Sequence, residues 1–491
     1  MAQMAPAVYV ICVVEFLPKR EKNNQNLLFL QKCLHLRVTK PLKKTMKSVT
    51  TPSTYESTVA YLYEQLPVFQ KVGKAAYKKD LGNTKALMEV LDQPHQKFKS
   101  IHIAGTNGKG SCAHMLAAIF QEHGYKTGLY TSPHLIDFRE RIKIDGEEVS
   151  TEFVVDFVER VKPHIEKIEP SFFEITVAMA FAYFAQKGVD MAIIETGMGG
   201  RLDSTNILRP ELSIITNVAL DHQIYLGDTY EAIATEKAGI IKNEVPVILG
   251  KMETSAAAVI KQSAKKHKSP IYTSGTFFKT FPLDIDTQNK HFKVKVKRLF
   301  CSGENRVYFL DLIGRYQVEN LGTVLTAVEL LKNAFDFETE KVAHALSRVR
   351  ELTNLRGRWE VVGKKPMMVA DIAHNEAALK WQQQNLSNHH YRKLHLIFGC
   401  SSDKKPEDFF GLFPKDAQLY LCQSNVMRAY DVADLAEKAG SFFPDLEKFS
   451  TVEAAVSKAQ SAAQSEDLIL ITGSAFVVAE ALSVLPQENE G

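Results

Sequence analysis

The sequence predicts an α/β protein with two parts: a large parallel-sheet domain that contains a phosphate-binding loop, and a smaller, Rossmann-like α/β domain after it. Three observations support this fold class. Short apolar, β-rich runs alternate with longer stretches at helical spacing. A glycine-rich turn at residues 105–111 directly follows one of the apolar runs. The alternation stops at a polar segment, residues 353–358, and restarts beyond it. Such alternation is typical of parallel strands crossed by helices.

The candidate strands of the larger part are apolar at nearly every position. They are the segments SIHIAG, MAIIETG, LSIITNV and VPVILG. Runs without polar alternation suit strands that are covered by helices on both faces. The segments between them, such as CAHMLAAIFQEHG and FEITVAMAFAYFAQKG, are long and apolar enough to be those helices.

Residues 283–314 depart from this pattern, because they alternate and contain turn residues without a helical stretch. We expect a small antiparallel insert there, followed by a helix from residue 320. Residues 353–358 are interpreted as a hinge between a central domain, 46–352, and a C-terminal domain, 359–491. The C-terminal strands are expected within KPMMVADIAHN, KLHLIFGC, AQLYLCQS and DLILITGS, each before a helix.

The first 45 residues differ from the rest in charge. The whole chain carries +3, of which residues 1–45 contribute +6, so the remainder carries −3. The apolar run at residues 5–14 has no basic residue before it and no small-residue cleavage site after it, which argues against export. We expect residues 1–45 to be a disordered or non-native extension, with Met46 as the natural start.

Composition narrows the class of protein further. Hydrophobic residues make up 45% of the chain, yet no apolar run reaches about 18 residues, so we expect no membrane partner. The mildly acidic body gives no reason to expect nucleic acid. The six cysteines are scattered without a CxxC pair, which fits a cytoplasmic protein with reduced thiols better than disulfides or a zinc site.

The segment GTNGKGS, residues 105–111, lies between a strand and a helix, as a phosphate loop does. Its glycines allow backbone N–H groups to turn towards phosphate oxygens, and the helix N-terminus adds a positive dipole end. Lys109 can bridge phosphates, and Ser111 supplies a hydroxyl. The spacing differs from GxxxxGK[ST], because Gly110 separates the lysine from the serine. The alternative is a glycine-rich turn that merely ends a strand.

Other candidates are weaker when taken alone. Glu195 ends a buried strand and precedes a glycine-rich turn, which is where α/β proteins often hold magnesium. The alternative for Glu195 is an ion pair with Arg201. Asp221, His222 and Lys237 follow the next strand, but a lone histidine is more often structural and a lysine on a helix is more often solvated.

Taken together, these motifs resemble the bacterial folylpolyglutamate synthases and dihydrofolate synthases of the Mur ligase superfamily. The resemblance covers about residues 46–482. It rests on the combination of LPVFQKVGKAAYKKDLGNT, AGTNGKGS, TSPHL…ERI, FFEITVAMAF, ETGMGGRLDSTN, LDH…LGDT…IATEKAGIIK, RGRWE and DIAHN.

The resemblance implies a role for each matching position. It implies ATP contacts by Thr106, Asn107, Gly108, Lys109, Gly110, Ser111, Asn320, Arg358 and Asp371. It implies two Mg²⁺ ions, one bound by Ser132 and Glu195, the other by His222 and a carbamylated Lys237. It implies substrate contacts by Asp80, Leu81, Gly82, Phe173 and Asp203. Lys109, Lys237 and His374 are the implied catalytic residues.

The implied activity is ATP-dependent ligation of L-glutamate to dihydropteroate, to reduced folates or to both, through an acyl phosphate, by a monomer. Two alternatives are a Mur-type ligase that extends a UDP-sugar peptide and a nucleotide switch without ligase chemistry. The stretch FQKVGKAAYKKDLGNT favours the folate branch over the first, and a missing NKxD motif disfavours the second. The chain departs from the family pattern at Tyr316, where histidine is common, and at Glu376, where proline is usual.

Overall fold

The computed structural model describes residues 54–66, 80–286, 291–300 and 305–485. The expectations for residues 1–45, and most of the stretch LPVFQKVGKAAYKKDLGNT, fall outside these ranges. Within the described ranges, no helix combines the length and the apolar character that a bilayer span requires.

The larger domain is built on an eight-stranded sheet in the order β4-β3-β2-β5-β1-β6-β7-β8. All pairings from β2 to β8 are parallel, and β3 and β4 are antiparallel additions at one edge. The predicted parallel sheet is therefore confirmed. Its elements are α1 (Tyr55–Gln65), α2 (Gly82–Val90), β1 (Lys99–Ala104), α3 (Lys109–Glu122), β2 (Thr127–Tyr130), β3 (Ile142–Ile144), β4 (Glu147–Glu148), α4 (Thr151–Ile168), α5 (Phe172–Lys187), β5 (Met191–Glu195), β6 (Leu212–Ile215), α6 (Gln223–Leu226), α7 (Tyr230–Ala238), β7 (Val247–Leu249), α8 (Thr254–Lys266) and β8 (Ile271–Thr273).

The predicted antiparallel insert is also present, as a three-stranded sheet in the order β11-β10-β9. One face of this small sheet is apolar and packs against the helix that follows it, in one core cluster with Leu321 and Val324. The insert starts slightly earlier than predicted, at Phe278. The elements of this region are β9 (Phe278–Asp286), β10 (His291–Arg298), β11 (Asn305–Leu310), α9 (Gln317–Leu331), α10 (Thr339–Leu346) and α11 (Val349–Thr353).

The second domain has a six-stranded sheet in the order β12-β13-β17-β14-β15-β16, parallel except for β12. This confirms the expected Rossmann-like class. The sheet begins at residue 360, just after the segment interpreted as a hinge; the hinge itself stays a prediction. The elements are β12 (Glu360–Lys364), β13 (Met367–Ala370), α12 (Glu376–Leu386), β14 (Leu394–Phe398), α13 (Glu407–Phe410), β15 (Gln418–Cys422), α14 (Val432–Ala439), β16 (Glu447–Phe449), α15 (Val452–Ala462), β17 (Leu468–Thr472) and α16 (Ala475–Val484).

The register of the central strands determines where functional groups converge. Ile103 in β1 pairs with Glu195 in β5, and Ala104 pairs with Ile215 in β6, so the three strands end side by side. Their residues are buried because helices cover both faces of the sheet. The loops that follow these strands therefore leave the sheet at one edge and can form a single site.

A buried carboxylate, Asp311, connects the small sheet to α11. It follows β11, and its Oδ2 accepts a hydrogen bond from the backbone N–H of Arg350 at 2.6 Å. Its Oδ1 is buried without a hydrogen-bond partner among the described residues. Burial raises the pKa of Asp311 from 3.8 to about 6, because the charged form loses solvation.

Replacing Asp311 by asparagine should stabilise the protein at pH 8 and should lose much of that advantage near pH 4.5. The pKa of Asp311 is raised on folding, so the stability cost of its ionisation is absent below the unfolded pKa, grows between pH 4 and 6, and is complete above pH 6. The gain at pH 8 should be about 2–3 kcal/mol. Denaturant unfolding of both proteins at the two pH values measures it. An equal difference at both pH values would contradict the assigned ionisation.

Candidate functional site

A cavity of about 400 Å³ lies at the carboxyl ends of β1, β5 and β6 and is bordered by the second domain. This volume is in the usual range for small-molecule sites. Most of the residues singled out from the sequence line it. They are Asp80, Thr106, Asn107, Gly108, Lys109, Gly110, Ser111, Ser132, Phe173, Glu195, Asp203, His222, Lys237, Asn320, Arg358, Asp371 and His374. Leu81 and Gly82 are beside Asp80 in the chain but are not among the lining residues.

The glycine-rich loop joins β1 to α3 in a conformation that suits a phosphate cradle. Gly108 precedes α3 with φ +84°, and a Cβ there would lie 2.5 Å from Asn320 Oδ1, so both backbone strain and crowding favour glycine. Asn217 fixes the loop from the next strand: its Oδ1 accepts from the Asn107 N–H at 2.9 Å, and its carbonyl accepts from the Thr106 N–H at 3.1 Å. The loop is therefore held in shape by the protein itself.

Lys109 extends from the first residue of α3 back across the loop. Its Nζ donates to the carbonyl oxygens of Gly105 and Thr106, at 3.1 and 3.2 Å, and lies 4.0 Å from Glu195 Oε1. Glu195 is buried, and its Oε2 accepts from the Ser132 N–H at 3.2 Å. Burial raises the pKa of Glu195, while Lys109 acts in the opposite direction. The pair thus places one cation and one carboxylate beside the phosphate loop.

The ion pair proposed as the alternative for Glu195 is wrong. Arg201 Nη2 instead lies 2.8 Å from Glu236 Oε1 on α7. The carbonyl of Glu236 also accepts from the Arg201 N–H at 2.7 Å, so Arg201 is directed towards α7 rather than to the end of β5.

Asp221, His222 and His374 form a cluster whose potential ligand atoms all lie within 4.8 Å of one another. His222 precedes α6 in a left-handed conformation, φ +51°, and burial lowers its pKa to about 4, so its imidazole is neutral at physiological pH. His374 comes from the second domain, and its Nε2 lies 3.4 Å from Asp221 Oδ2. Asp221 is therefore added to the candidate site residues. The sequence alone gave it no role.

Lys237, on α7, is buried at the same cavity. Burial lowers its pKa from 10.5 to about 7, and the positive charge of Lys109 acts in the same direction. A substantial fraction of Lys237 is therefore an uncharged amine near neutral pH, unlike an ordinary surface lysine.

These donor sets fit divalent cations by their chemistry. A buried carboxylate, Glu195, lies beside the hydroxyl-bearing Ser132, and oxygen ligands of this kind suit Mg²⁺. A second carboxylate, Asp221, lies beside the neutral imidazole of His222. An ammonium at Lys237 would oppose a cation nearby, whereas a carbamate would offer it anionic oxygens.

The second domain closes the cavity through two polar residues that the sequence did not single out as site residues. Asn375 exchanges two side-chain hydrogen bonds with Asn107 of the phosphate loop, at 3.0 and 3.1 Å, and donates to Asp221 Oδ2 at 2.9 Å. Lys404 Nζ lies 2.6 Å from Asp221 Oδ1. The sequence contained a signal for both residues, because Asn375 ends the DIAHN motif and Lys404 belongs to the SSDKK segment.

Asp371 borders the cavity, but protein donors satisfy both of its oxygens. Oδ2 accepts from the Trp359 N–H and the Tyr316 hydroxyl, at 2.7 and 3.0 Å; Oδ1 accepts from the Ala373 N–H and Gln382 Nε2, at 2.9 and 3.0 Å. Asp371 therefore fixes Trp359, Tyr316 and Gln382 around this side of the cavity. Tyr316 is one of the departures from the family pattern, and its hydroxyl completes this network.

Glu376, the second position at which the chain departs from the family pattern, is the first residue of α12. Asn375 caps this helix by accepting from the Ala378 N–H. Proline is favoured at a first helical position because no N–H is needed there, and glutamate is favoured because its charge faces the positive helix end. Either residue suits the first position of this helix, and Asn375 caps it with glutamate present.

Phe173 and Asp203 line the cavity beside the turn that follows β5. Asp203 is buried, and it accepts from the N–H groups of Met198 and Thr205 at 2.9 and 3.0 Å. Burial raises the pKa of its carboxyl group. A Cβ on Gly197 would lie 2.5 Å from the Phe173 ring, so the backbone passes directly beside that ring. This part of the cavity combines an aromatic face with a hydrogen-bonding carboxylate.

Two protein-family models match the chain. The Mur ligase middle domain matches residues 103–328, and the Mur ligase glutamate ligase domain matches residues 357–475. With a phosphate loop in the first and Lys404 and Asn375 projecting from the second, the fold and the site define an ATP-dependent ligase of the Mur type.

Individual relatives identify the family within the Mur-type ligases. The dihydrofolate synthase/folylpolyglutamate synthase of Bacillus subtilis is 32% identical over 427 residues, which cover 83% of this chain and 95% of that protein. The chain belongs to the dihydrofolate synthase/folylpolyglutamate synthase family. A probable bifunctional folylpolyglutamate synthase/dihydropteroate synthase of Haloferax volcanii is 33% identical over 407 residues, 80% of this chain, and the match spans 47% of that longer relative.

Solved structures that resemble the chain in fold come from the same family. Mycobacterium tuberculosis folylpolyglutamate synthase complexed with ADP and AMPPCP has a TM-score of 0.77 at 28% identity, covering 88% of this chain and 99% of that one. The bifunctional folylpolyglutamate synthase/dihydrofolate synthase of Yersinia pestis, complexed with AMPPNP and a Mn ion, has a TM-score of 0.74 at 26% identity, covering 88% and 98%. These structures support ATP and a divalent cation as the cofactors.

Substituting Lys109 by alanine should lower kcat on the order of a thousand-fold, because it removes a cation from the place where phosphoryl charge develops. An ADP-release assay measures kcat. Lys109→Arg, which keeps the charge, serves as the matched variant and should retain more activity. Nucleotide binding to K109A, followed by calorimetry, separates lost catalysis from lost binding. An unchanged kcat in K109A would exclude a charge-neutralising role.

Proposed function

We propose that this chain ligates L-glutamate to dihydropteroate, to reduced folates or to both, at the expense of ATP. The observation that carries the proposal is the single cavity. It is lined by a phosphate loop, two buried carboxylates and an aromatic, carboxylate-bearing end, with lysine and arginine side chains on the second domain. A ligase needs this arrangement because phosphoryl transfer and amide formation must occur at the same carboxyl group.

The reaction proceeds in two steps. A carboxylate oxygen of the acceptor attacks the γ-phosphorus of ATP, the bond to the β-γ bridging oxygen breaks, and ADP and an acyl phosphate result. The amine of glutamate then attacks the acyl carbon, phosphate leaves with the C–O bond electrons, and the amine loses a proton. Lys109 and the loop N–H groups bind the phosphates and stabilise the charge that develops on them.

The pairs Ser132 with Glu195 and His222 with Lys237 are the residues that would hold two Mg²⁺ ions. When bound, such ions neutralise phosphate charge and orient the transferring group. Arg358 adds to this end of the site, because its guanidinium lies against Gly110: a Cβ there would be 3.2 Å from Arg358 Nη2. Asn320, which faces Gly108, is proposed to contact the nucleotide from the other side of the loop.

The incoming glutamate is proposed to bind on the second domain. Lys404 and Arg428 line the cavity together with Ser474, which caps α16 by accepting from the Phe476 N–H at 3.0 Å. Two cations and a helix N-terminus suit the two carboxylates of glutamate. This placement presents the amine from the second domain to an acyl phosphate held on the first. His374 lies between the two domains and is proposed as a catalytic residue.

The pterin of the acceptor is proposed to bind at the end lined by Asp80, Phe173 and Asp203. The Phe173 ring gives a stacking surface, and the Asp203 carboxyl gives a hydrogen-bonding edge for a heterocycle with amide-like groups. Leu81 and Gly82 are proposed to support Asp80, whose Oδ1 accepts from the Gly82 N–H at 2.7 Å. We further propose that the enzyme acts as a cytoplasmic monomer, with residues 353–358 as the hinge between a central domain, 46–352, and a C-terminal domain, 359–491.

The function is tested by ADP release from the full chain with ATP, Mg²⁺ and L-glutamate, and with either dihydropteroate or tetrahydrofolate as the acceptor. Release that requires both acceptor and glutamate is expected. Mass spectrometry should show a product heavier than the acceptor by one glutamyl residue. Activity with both acceptors would assign a bifunctional enzyme, and activity with one would assign a single step. Nucleotide hydrolysis independent of acceptor and glutamate would contradict the proposal.

Carbamylation of Lys237 is expected because burial leaves its amine partly uncharged, and an uncharged amine can attack CO₂ with release of one proton. Protein equilibrated with ¹³C-bicarbonate should show a carbamate carbon signal by NMR. The signal should disappear in Lys237→Gln. Lys242→Gln is the matched control, because burial also lowers the pKa of Lys242, to about 8, but its Nζ donates to the Asn206 carbonyl. A signal that survives in K237Q would contradict the assignment.

Replacing Lys404 by glutamine should raise the KM for glutamate on the order of 100-fold and leave the KM for ATP less affected, because Lys404, whose Nζ also pairs with Asp221, is proposed to bind a glutamate carboxylate. Lys405→Gln is the matched control, because Lys405 is the next residue and is exposed. Steady-state kinetics with each substrate varied in turn measure both constants. An equal rise in both KM values would indicate that Lys404 acts through domain contact rather than through glutamate.

A further inference from the structure

The small antiparallel sheet has an outer face that no described element covers. Three lysines of β10, Lys293, Lys295 and Lys297, alternate along the middle strand and point to this face, because Val294 and Val296 between them are buried in the core. Three large apolar residues lie on the flanking strands at the same face: Phe281, Val307 and Phe309. We call these six residues the lysine face.

The strand register mixes the two kinds of side chain. Lys295 lies between Phe281 on β9 and Val307 on β11, and Lys293 lies opposite Phe309. Phe281, Val307 and Phe309 are 45%, 40% and 46% exposed. Consecutive lysines on the strand are roughly 7 Å apart, because same-face residues are two positions apart in a strand. Apolar side chains and cations are therefore interspersed on one nearly flat surface.

The need to build a hydrophobic core does not explain why lysines and large apolar residues share this face. The inner face of the same sheet already supplies the core, through Phe292, Val294 and Tyr308. The three lysines make no ion pair with a carboxylate among the described residues. Asp284, the acid opposite Lys293, accepts from the Ile285 N–H through its Oδ1. Exposed apolar residues that contribute nothing to the core mark a binding surface when they are clustered.

Charge limits what can cover the lysine face. A second copy docked face to face would bring the same lysines against it, and residues 1–45 of the chain carry +6, so charge disfavours both. The interior of a protein–protein interface is depleted in lysine, whereas here lysines form the middle row. At a bilayer surface the same arrangement is favourable, because lysine ammonium groups reach anionic headgroups while neighbouring apolar side chains enter the interfacial region.

We propose that the lysine face docks the protein on the surface of an anionic phospholipid bilayer, which departs from the expectation of no membrane partner because surface docking needs no membrane-spanning segment. Lys293, Lys295 and Lys297 contact the lipid phosphates and carboxylates, and Phe281, Val307 and Phe309 insert at headgroup depth. The inner face of the sheet packs on α9, whose first turn carries Asn320 of the nucleotide end of the cavity. The outer face points away from that helix, so docking does not require the cavity to be blocked.

Co-sedimentation of the full chain with vesicles tests the proposal. Binding is expected to vesicles of phosphatidylcholine with phosphatidylserine, to weaken with added salt, and to be much weaker with phosphatidylcholine alone. The triple variant K293E/K295E/K297E should bind on the order of a hundred-fold less, because each lysine near an anionic surface contributes a factor of about five. The pair F281S/F309S should reduce binding while keeping its salt dependence.

The matched control is K261E/K265E/K266E, which reverses three exposed lysines on α8 with no row of exposed aromatic residues around them. It should bind vesicles almost as the unchanged protein does. All variants alter exposed or half-exposed side chains outside the cavity, so glutamate-dependent ADP release should stay normal and report that the variants are folded. The activity readout is independent of docking, so a failure of the proposed ligase function would not be mistaken for a failure of this inference.

Three results would overturn the proposal. One is equal binding of the unchanged protein to both kinds of vesicle or to neither. Another is equal loss of vesicle binding in the α8 control. The third is binding of a single-stranded oligonucleotide, lost with the β10 lysines, under conditions where vesicles do not bind; this would assign the face to a nucleic-acid partner.

Discussion

The buried carboxylate of Asp221 is the constraint on which the two-domain site depends. It follows β6 in the first domain, yet two of its partners, Asn375 Nδ2 and Lys404 Nζ, belong to the second. Burial alone would raise its pKa, but Lys404 and His374, which both contact the carboxylate, hold the pKa well below its usual range. A buried charge that lost these partners would cost several kcal/mol, so the domains are coupled at this point.

The coupling of the two domains at Asp221 also bears on the protection of the proposed acyl phosphate from water. The same Asn375 that contacts Asp221 also exchanges hydrogen bonds with Asn107 in the phosphate loop. If the loop binds the nucleotide as proposed, nucleotide binding and domain contact involve the same few atoms. An acyl phosphate is hydrolysed if water reaches it, so a ligase benefits when the groups that bind phosphate also hold the second domain in place. The hydrogen bonds of Asn375 link the two requirements.

The sequence predicted the parts of this structure that depend on local pattern. The apolar runs around Ile103 and Ile194 predicted buried parallel strands, and the glycine spacing around Lys109 predicted the phosphate loop. Residues that act through distant partners were harder to predict. Asn217 supports the loop from 110 residues away, and nothing near it in the chain marks that role. Asn375 is marked by its place at the end of the DIAHN motif, but its partners Asn107 and Asp221 lie in the other domain and could not be read from the sequence. Arg201 illustrates the same difficulty. The sequence offered Glu195 as its partner, but Arg201 pairs with Glu236 on α7.

The cavity also explains why acceptor choice is a separate problem from phosphate chemistry. Dihydropteroate and a glutamylated folate share the pterin but differ by at least one glutamyl unit between the pterin and the reacting carboxylate. The phosphate end is fixed by Asn217 and Asn375, and the far end is fixed by the hydrogen bonds of Asp203. One enzyme can serve both acceptors if the longer one folds between these two ends. Under the proposed function, acceptor range is set by the part of the cavity between Phe173 and Lys109 rather than by the phosphate loop.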